Sequence, residues 1–170
     1  ARTQYRAGAR FGPRGVREAS TLFSFGHAGA YDHEDDATYL GPDVRMVDIG
    51  DADIVHTDTE TSHTNIETGV RAILAARALP VVIGGDHSVN IPCIRAFDGE
   101  GPIHILQIDA HIDWRDERYG EKFGFSSTMR RASEQAHVWR IVQAGARGLG
   151  SAREGEVRDA KQWGAHIFTS

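Results

Sequence analysis

The sequence predicts an α/β fold with three layers, α/β/α, built around a mainly parallel sheet. Two short apolar runs, residues 79–83 and 103–108, each end abruptly in carboxylates and histidines, and a helix-length segment separates them. Short β-branched runs bounded by glycine or proline are typical of buried parallel strands. A strand, a helix and a second strand in this order form a right-handed, parallel βαβ unit. We therefore expect the two runs to be neighbouring strands.

The first 78 residues predict two helices and one strand. Gly12-Pro13 favours a helix start, because proline costs nothing in the first turn. Residues 26–43 lack a period and predict a loop, and residues 44–49 predict a strand. Residues 61–78 predict the clearest helix, capped by Ser62 or Thr64. Its apolar stripe comprises Ile66, Val70, Ile73 and Leu74.

The second half of the chain continues the alternation of helices and strands. Helices are predicted over residues 88–97, 127–135 and 151–162, the last with Ser151 as its cap, and strands over 138–145 and 166–169. The sequence shows no internal repeat and no linker. We expect residues 1–170 to form a single α/β domain that is incomplete at both ends.

Composition excludes several classes of function. The net charge is −5, and the basic residues are scattered, which argues against nucleic-acid binding. No apolar run approaches membrane-spanning length, and no signal peptide opens the chain. The single cysteine, Cys93, excludes an internal disulfide and fits a reducing compartment. We expect a cytoplasmic protein without nucleic-acid or membrane partners.

Acidic and imidazole side chains collect where the two apolar runs end. In open parallel sheets, sites lie outside the carboxyl ends of the strands. Asp109, His111 and Asp113 are spaced by two, so in extended backbone they point to one side. With His87 and Asp116 they predict a site for manganese, iron(II), nickel or zinc. The alternative is a solvated acidic loop.

Residues 84–88 read GGDHS, and residues 109–113 read DAHID. These two motifs resemble those of the ureohydrolase family, which comprises arginases, agmatinases and related amidinohydrolases. The flanking segments GARFGPRGVREAS at 8–20, VDIGDAD at 47–53 and AGARGLG at 144–150 are similar to the agmatinase-like branch. The matching segments follow family order through almost the whole chain.

The resemblance implies an arginase-like fold and a binuclear Mn²⁺ centre, although another divalent metal would also fit. Such a centre converts a bridging water into hydroxide, which attacks a guanidinium carbon and releases urea. By motif position, His87 and Asp113 would bind one metal and His111 the other. Asp109 would bridge both, which makes Asp109 and His111 the catalytic pair. The resemblance also implies a homo-oligomer, trimeric or hexameric, acting on a small guanidino substrate.

Four further positions carry weaker expectations. Asp86 is expected to orient His87 or a neighbour from outside the metal site. Arg115, two residues after Asp113, is expected to bind the carboxylate of a guanidino acid such as guanidinobutyrate. Its alternative is an exposed arginine paired with Asp116 or Glu117. The loop histidines His27 and His33 are expected not to bind metal, and Asp48, Asp51 and Asp53 are expected to be structural or to face the substrate.

The sequence departs from the family pattern in two places. It lacks the second aspartate cluster that completes and bridges the metals, and four protein groups alone would leave two ions under-ligated. It also reads GFSST at 124–128, where family members carry a histidine in a SHGT-like segment. Water or Ser126 would have to serve there, although serine does not titrate near neutral pH. Two alternatives stay open: another linear amidine or formimino hydrolase of the same fold, or a non-catalytic metal-binding remnant.

Overall fold

The computed structural model describes residues 8–22 and 28–170. The five α-helices are α1 (Gly12–Ser20), α2 (Thr59–Ala75), α3 (Asn90–Arg95), α4 (Thr128–Ser133) and α5 (Glu154–Trp163). The strands are β1 (Ala30–Asp32), β2 (Ala37–Tyr39), β3 (Ile103–Ile108), β4 (Val138–Ala146) and β5 (His166–Thr169). Helices alternate with strands in the second half of the chain, so the predicted α/β class is confirmed.

The sheet of the described residues runs β3-β4-β5, and both pairs of neighbours are parallel. Helix α4 connects β3 to β4, and α5 connects β4 to β5. The carboxyl ends of the three strands therefore lie at the same edge of the sheet. Strands β1 and β2 form a separate antiparallel hairpin.

Two predicted strands are wrong. Residues 44–49 and 79–83 have no strand assignment, and most of their apolar side chains are exposed, as Val47 and Val81 illustrate. A strand exists only where a second strand supplies a hydrogen-bonded ladder, and within the described residues β3 is paired with β4 alone. The expected βαβ unit over residues 81–108 is absent for the same reason. The first βαβ unit that the described residues do form consists of β3, α4 and β4.

Several predicted boundaries also need correction. The predicted loop over residues 26–43 contains the β1–β2 hairpin. Helix α2 is capped by Asp58, whose carboxylate accepts the Thr61 amide, and not by Ser62 or Thr64. Helix α5 begins after Arg153 rather than being capped at Ser151.

One face of the sheet packs against the helices and forms the core. Ile141 on β4 is fully buried, and Met129 of α4 and Ala160 of α5 belong to the same cluster. The Trp114 and Trp163 rings pack at 5.8 Å between centroids and tilt by 57°. The opposite face of the sheet is exposed and carries Leu106, Ile108, Trp139 and Phe168. No helix among the described residues is long and apolar enough to cross a bilayer.

A buried histidine lies on α2. His63 is 5 % exposed, and its ring packs edge-on against Phe123 with 5.6 Å between centroids. Burial lowers the pKa of His63 from 6.5 to about 4, and the positive charge of Arg95 adds to this effect. Below pH 6.5 the unfolded chain therefore binds a proton that the folded chain takes up only near pH 4.

His63→Leu should consequently weaken the pH dependence of the free energy of unfolding below pH 6.5. The free energy of unfolding of the parent decreases as the pH falls from about 6.5 to about 4, because only its unfolded state gains the proton. Urea unfolding at several pH values measures this, with His56→Leu, at an exposed position, as the matched control. Parallel profiles for the parent and His63→Leu would contradict the assignment.

Candidate metal centre

Three of the predicted ligands come together beyond the carboxyl end of β3. His87, Asp109 and Asp113 each offer one ligand atom, and these atoms lie within 4.8 Å of one another. His87 Nδ1 lies 2.6 Å from Asp113 Oδ2 and 3.9 Å from Asp109 Oδ2. One imidazole and two carboxylates are thus close enough to share a single divalent cation.

The turn formed by Gly84 and Gly85 before His87 has no room for a side chain at either position. Gly85 has φ +39°, and a Cβ on either Gly84 or Gly85 would come within 3 Å of the Val89 side chain. His87 then begins a 3₁₀ turn, and its carbonyl accepts the Thr128 hydroxyl at 3.1 Å. The turn and this hydrogen bond direct the imidazole toward Asp113.

Asp113 is positioned by its backbone. It has φ +48°, in the left-handed region, and its carbonyl accepts the amides of Met129 and Arg130 at the start of α4. Its side chain is 7 % exposed, whereas that of His111 is 60 % exposed. The expectation that Asp109, His111 and Asp113 point to one side is therefore wrong, because the segment does not stay extended.

His111 lies beside Asp109 rather than within the group of three. The Asp109 Oδ1 atom accepts the His111 amide at 2.8 Å and lies 3.0 Å from His111 Nδ1. The Asp109 amide itself donates to the Ala144 carbonyl of β4. Asp109 is thus held between His87 on one side and His111 on the other, and the implied second metal ligand stays a prediction.

Electrostatics at the cluster favour a cation. Burial opposes protonation of His87, but the hydrogen bond and negative charge of Asp113, together with Asp109, leave the pKa of His87 raised. Burial would raise the pKa of Asp109, yet hydrogen bonds from the amide and ring of His111 leave it lowered. The ionised Asp109 carboxylate beside His87 therefore favours a positive charge at the cluster.

The cluster opens into a cavity of about 240 Å³. Arg115, Arg118 and Ser126 line the same cavity, as does Glu156 of α5. Arg115 Nε donates to Glu156 Oε1 at 3.0 Å, and both side chains are largely buried. Arg115 is therefore paired with Glu156, and the alternative pairing with Asp116 or Glu117 is wrong.

Other expected site residues lie outside this cavity. Asp116 binds Arg131 at 2.6 Å and does not join the metal group. The Asp86 carboxylate accepts the Ser88 amide, so its expected support of His87 stays a prediction. Asp48 and Asp51 both bind Arg17, which gives them a structural contact. His33 is exposed in the β1–β2 hairpin. The backbone carbonyl of Asp53 accepts a hydrogen bond from the side-chain amide of Asn65. His27 falls outside the described residues.

Two buried glutamines behind Asp113 escaped the sequence analysis. Gln107 on β3 donates to Asp113 Oδ2 at 3.0 Å, and Gln143 on β4 donates to Gln107. The available signal was a single glutamine at the inward-facing position after Ile103 and Ile105, on a face of the strand that is otherwise apolar.

Similarity to known proteins agrees with this geometry. The model of the arginase family matches residues 1–170. The guanidinopropionase of Pseudomonas aeruginosa is 38 % identical over 153 residues, which cover 86 % of this chain and 45 % of that protein. The agmatinase of Bacillus subtilis is 32 % identical over 167 residues, which cover 96 % of this chain and 53 % of that protein.

The fold is shared with solved structures. The formimidoylglutamase of Bacillus subtilis superposes with a TM-score of 0.83 at 26 % identity, over 98 % of this chain and 51 % of that one. The chain spans about half the length of the curated relatives it matches. These matches confirm the resemblance: the chain belongs to the arginase family, in its agmatinase-like branch.

Proposed function

We propose that the protein hydrolyses a C–N bond of a guanidino compound and releases urea and an amine. The observation that carries this proposal is the group of His87, Asp109 and Asp113, whose ligand atoms face one another at the cavity. A nitrogen and carboxylate oxygens without thiolate suit a catalytic divalent metal such as Mn²⁺.

The residues present fit a metal centre of this kind. His87 and Asp113 would hold one ion, and Asp109, which lies between His87 and His111, would serve both ions of a binuclear pair. When bound, Mn²⁺ supplies an acidified, nucleophilic water at neutral pH. The chain's own contribution is to hold the ligands rigidly and to keep Asp109 ionised beside the substrate cavity.

The cavity wall favours a guanidino acid as substrate. Two guanidinium groups, Arg115 and Arg118, line it against one carboxylate, Glu156, which leaves an excess positive charge away from the metal ligands. Glu156 also accepts the Arg153 amide through its second oxygen, so it holds Arg115 in a fixed orientation. A planar guanidinium held in this way suits a substrate carboxylate.

Agmatine is the main alternative, since one relative is named an agmatinase. A formimino substrate is the second alternative, in view of the formimidoylglutamase fold match. The charges of the wall disfavour agmatine, because its amine would be repelled by Arg115 and Arg118. A trimeric or hexameric assembly stays a prediction.

Urea release by the full-length protein tests the proposal. After chelation and reconstitution with Mn²⁺, we expect turnover of guanidinobutyrate or guanidinopropionate, little turnover of agmatine, and none without metal. Asp113→Asn should abolish turnover, whereas Asp116→Asn, at an exposed carboxylate paired with Arg131, should leave it unchanged. Absence of urea from every guanidino compound by a metal-loaded protein would refute the proposal.

A further inference from the structure

Gln107 and Gln143 are register partners on β3 and β4, and both are buried behind Asp113. Gln143 is 2 % exposed, and neither glutamine lines the cavity. They therefore cannot meet the substrate directly. Any effect they have on the metal centre has to pass through the groups to which they are hydrogen-bonded.

Their hydrogen bonds form a chain that begins at the backbone. Gln143 Nε2 donates to the Ile112 carbonyl at 2.7 Å and to Gln107 Oε1 at 2.5 Å. Gln107 Nε2 then donates to Asp113 Oδ2 at 3.0 Å. The same Asp113 oxygen faces the His87 imidazole at 2.6 Å. The chain thus runs from a peptide carbonyl to a metal-ligand candidate.

The backbone carbonyl fixes the direction of every bond in this chain. The Ile112 carbonyl can only accept, so it requires the amino group of Gln143. The same amino group also donates to Gln107, so Gln107 must accept with its side-chain oxygen. Its own amino group then points toward Asp113 and donates to it. A reversed Gln107 would place its oxygen against a carboxylate oxygen. The Asp113 carboxylate is therefore always offered a donor, which fixes the position of its Oδ2 atom.

We propose that Gln143 and Gln107 form a positioning relay that holds the Asp113 carboxylate in the orientation in which it faces His87 at the metal centre. The inference rests on the metal centre of the proposed function and adds two residues that support it. These glutamines are positioning residues, since they act through Asp113 and do not touch the reacting atoms.

Burial of two amides in a sheet has a cost that simple packing would avoid. Within the described part of the chain, Gln143 Oε1 is buried without a hydrogen-bond partner. An aliphatic pair would fill the space without this penalty. The amides gain their advantage only where a direction of hydrogen bonding matters, which here is at Asp113.

Mn²⁺ titration of the full-length protein tests the relay. Gln107→Met and Gln143→Met keep the side-chain length but remove the donors, and each should weaken Mn²⁺ binding by about ten- to a hundredfold. The double variant should lose less than the product of the two single effects, because both residues act on one carboxylate. Gln162→Met, on the exposed side of α5, is the matched control and should bind as the parent does.

Folding is monitored separately by thermal unfolding of each metal-free variant, and Gln143→Glu provides a second, isosteric change. A glutamate at 143 accepts where glutamine donates, so it should reverse Gln107 and weaken Mn²⁺ binding more than Gln143→Met does. Parent-like Mn²⁺ affinity in folded Gln107→Met, or fully multiplicative effects in the double variant, would overturn the relay. A parent that binds Mn²⁺ but releases no urea would refute the proposed reaction and leave the relay intact.

Discussion

Asp109→Ala is expected to remove most of the bound metal and to lower urea release by at least about a hundredfold, since the nucleophilic water that the proposed metal centre would supply is lost with the ions. Asp109 lies between His87 and His111, with an oxygen 3.9 Å from the first and another 3.0 Å from the second. A carboxylate that serves both ions should matter more than a ligand that serves one. His111→Ala, at a largely exposed side chain, should therefore retain more metal.

Elemental analysis of the purified full-length variants measures the metal content directly. Asp116→Ala is the matched control, because it removes a carboxylate of the same segment that is bound to Arg131 outside the cluster. Equal metal content in Asp109→Ala and the parent would rule out a bridging role for this carboxylate.

Arg115→Ala is expected to change substrate preference rather than activity alone. If the guanidinium holds a substrate carboxylate, guanidino acids should lose about 2–5 kcal/mol of transition-state binding, as when one member of a buried charge pair is removed. Agmatine should gain or stay level, because its cationic end no longer meets a fixed positive charge. The loss of Arg115 also leaves Glu156 with a spare oxygen in the cavity wall.

The measurement is the ratio of kcat/KM for guanidinobutyrate and agmatine, in the parent and in Arg115→Ala. Arg140→Ala, at an exposed position on β4, controls for the loss of one positive charge. An equal fall in kcat/KM for both substrates would show that Arg115 supports the cavity through Glu156 and does not bind the substrate carboxylate.

The sequence predicted the strands whose signals are local and missed those that need a partner. Strands β3, β4 and β5 were predicted to within about one residue, because their apolar runs are bounded by turn residues. Residues 44–49 and 79–83 carry equally apolar runs, yet no ladder forms there within the described residues. Pairing is a non-local property, and a run of β-branched residues does not specify it.

The candidate site shows the same division. The motifs predicted that His87, Asp109 and Asp113 lie together, whereas the left-handed backbone that turns Asp113 inward depends on amides of α4. The contact between Arg115 and Glu156 joins residues 41 apart in the chain, and no spacing rule predicts it. Gln107 was detectable as the one amide on the apolar, inward-facing side of β3.

The left-handed backbone of Asp113 restricts which mutations this position could accept during evolution. At φ +48°, aspartate, asparagine and glycine are the residues that fit at low cost, whereas most others lose about 1–2 kcal/mol. Glutamate, the usual acidic replacement, meets this penalty and also overreaches the hydrogen bond from Gln107. The replacements that the backbone tolerates, asparagine and glycine, both discard the charge. Substitution of Asp113 is therefore limited both by its left-handed backbone conformation and by the need for a carboxylate at this position.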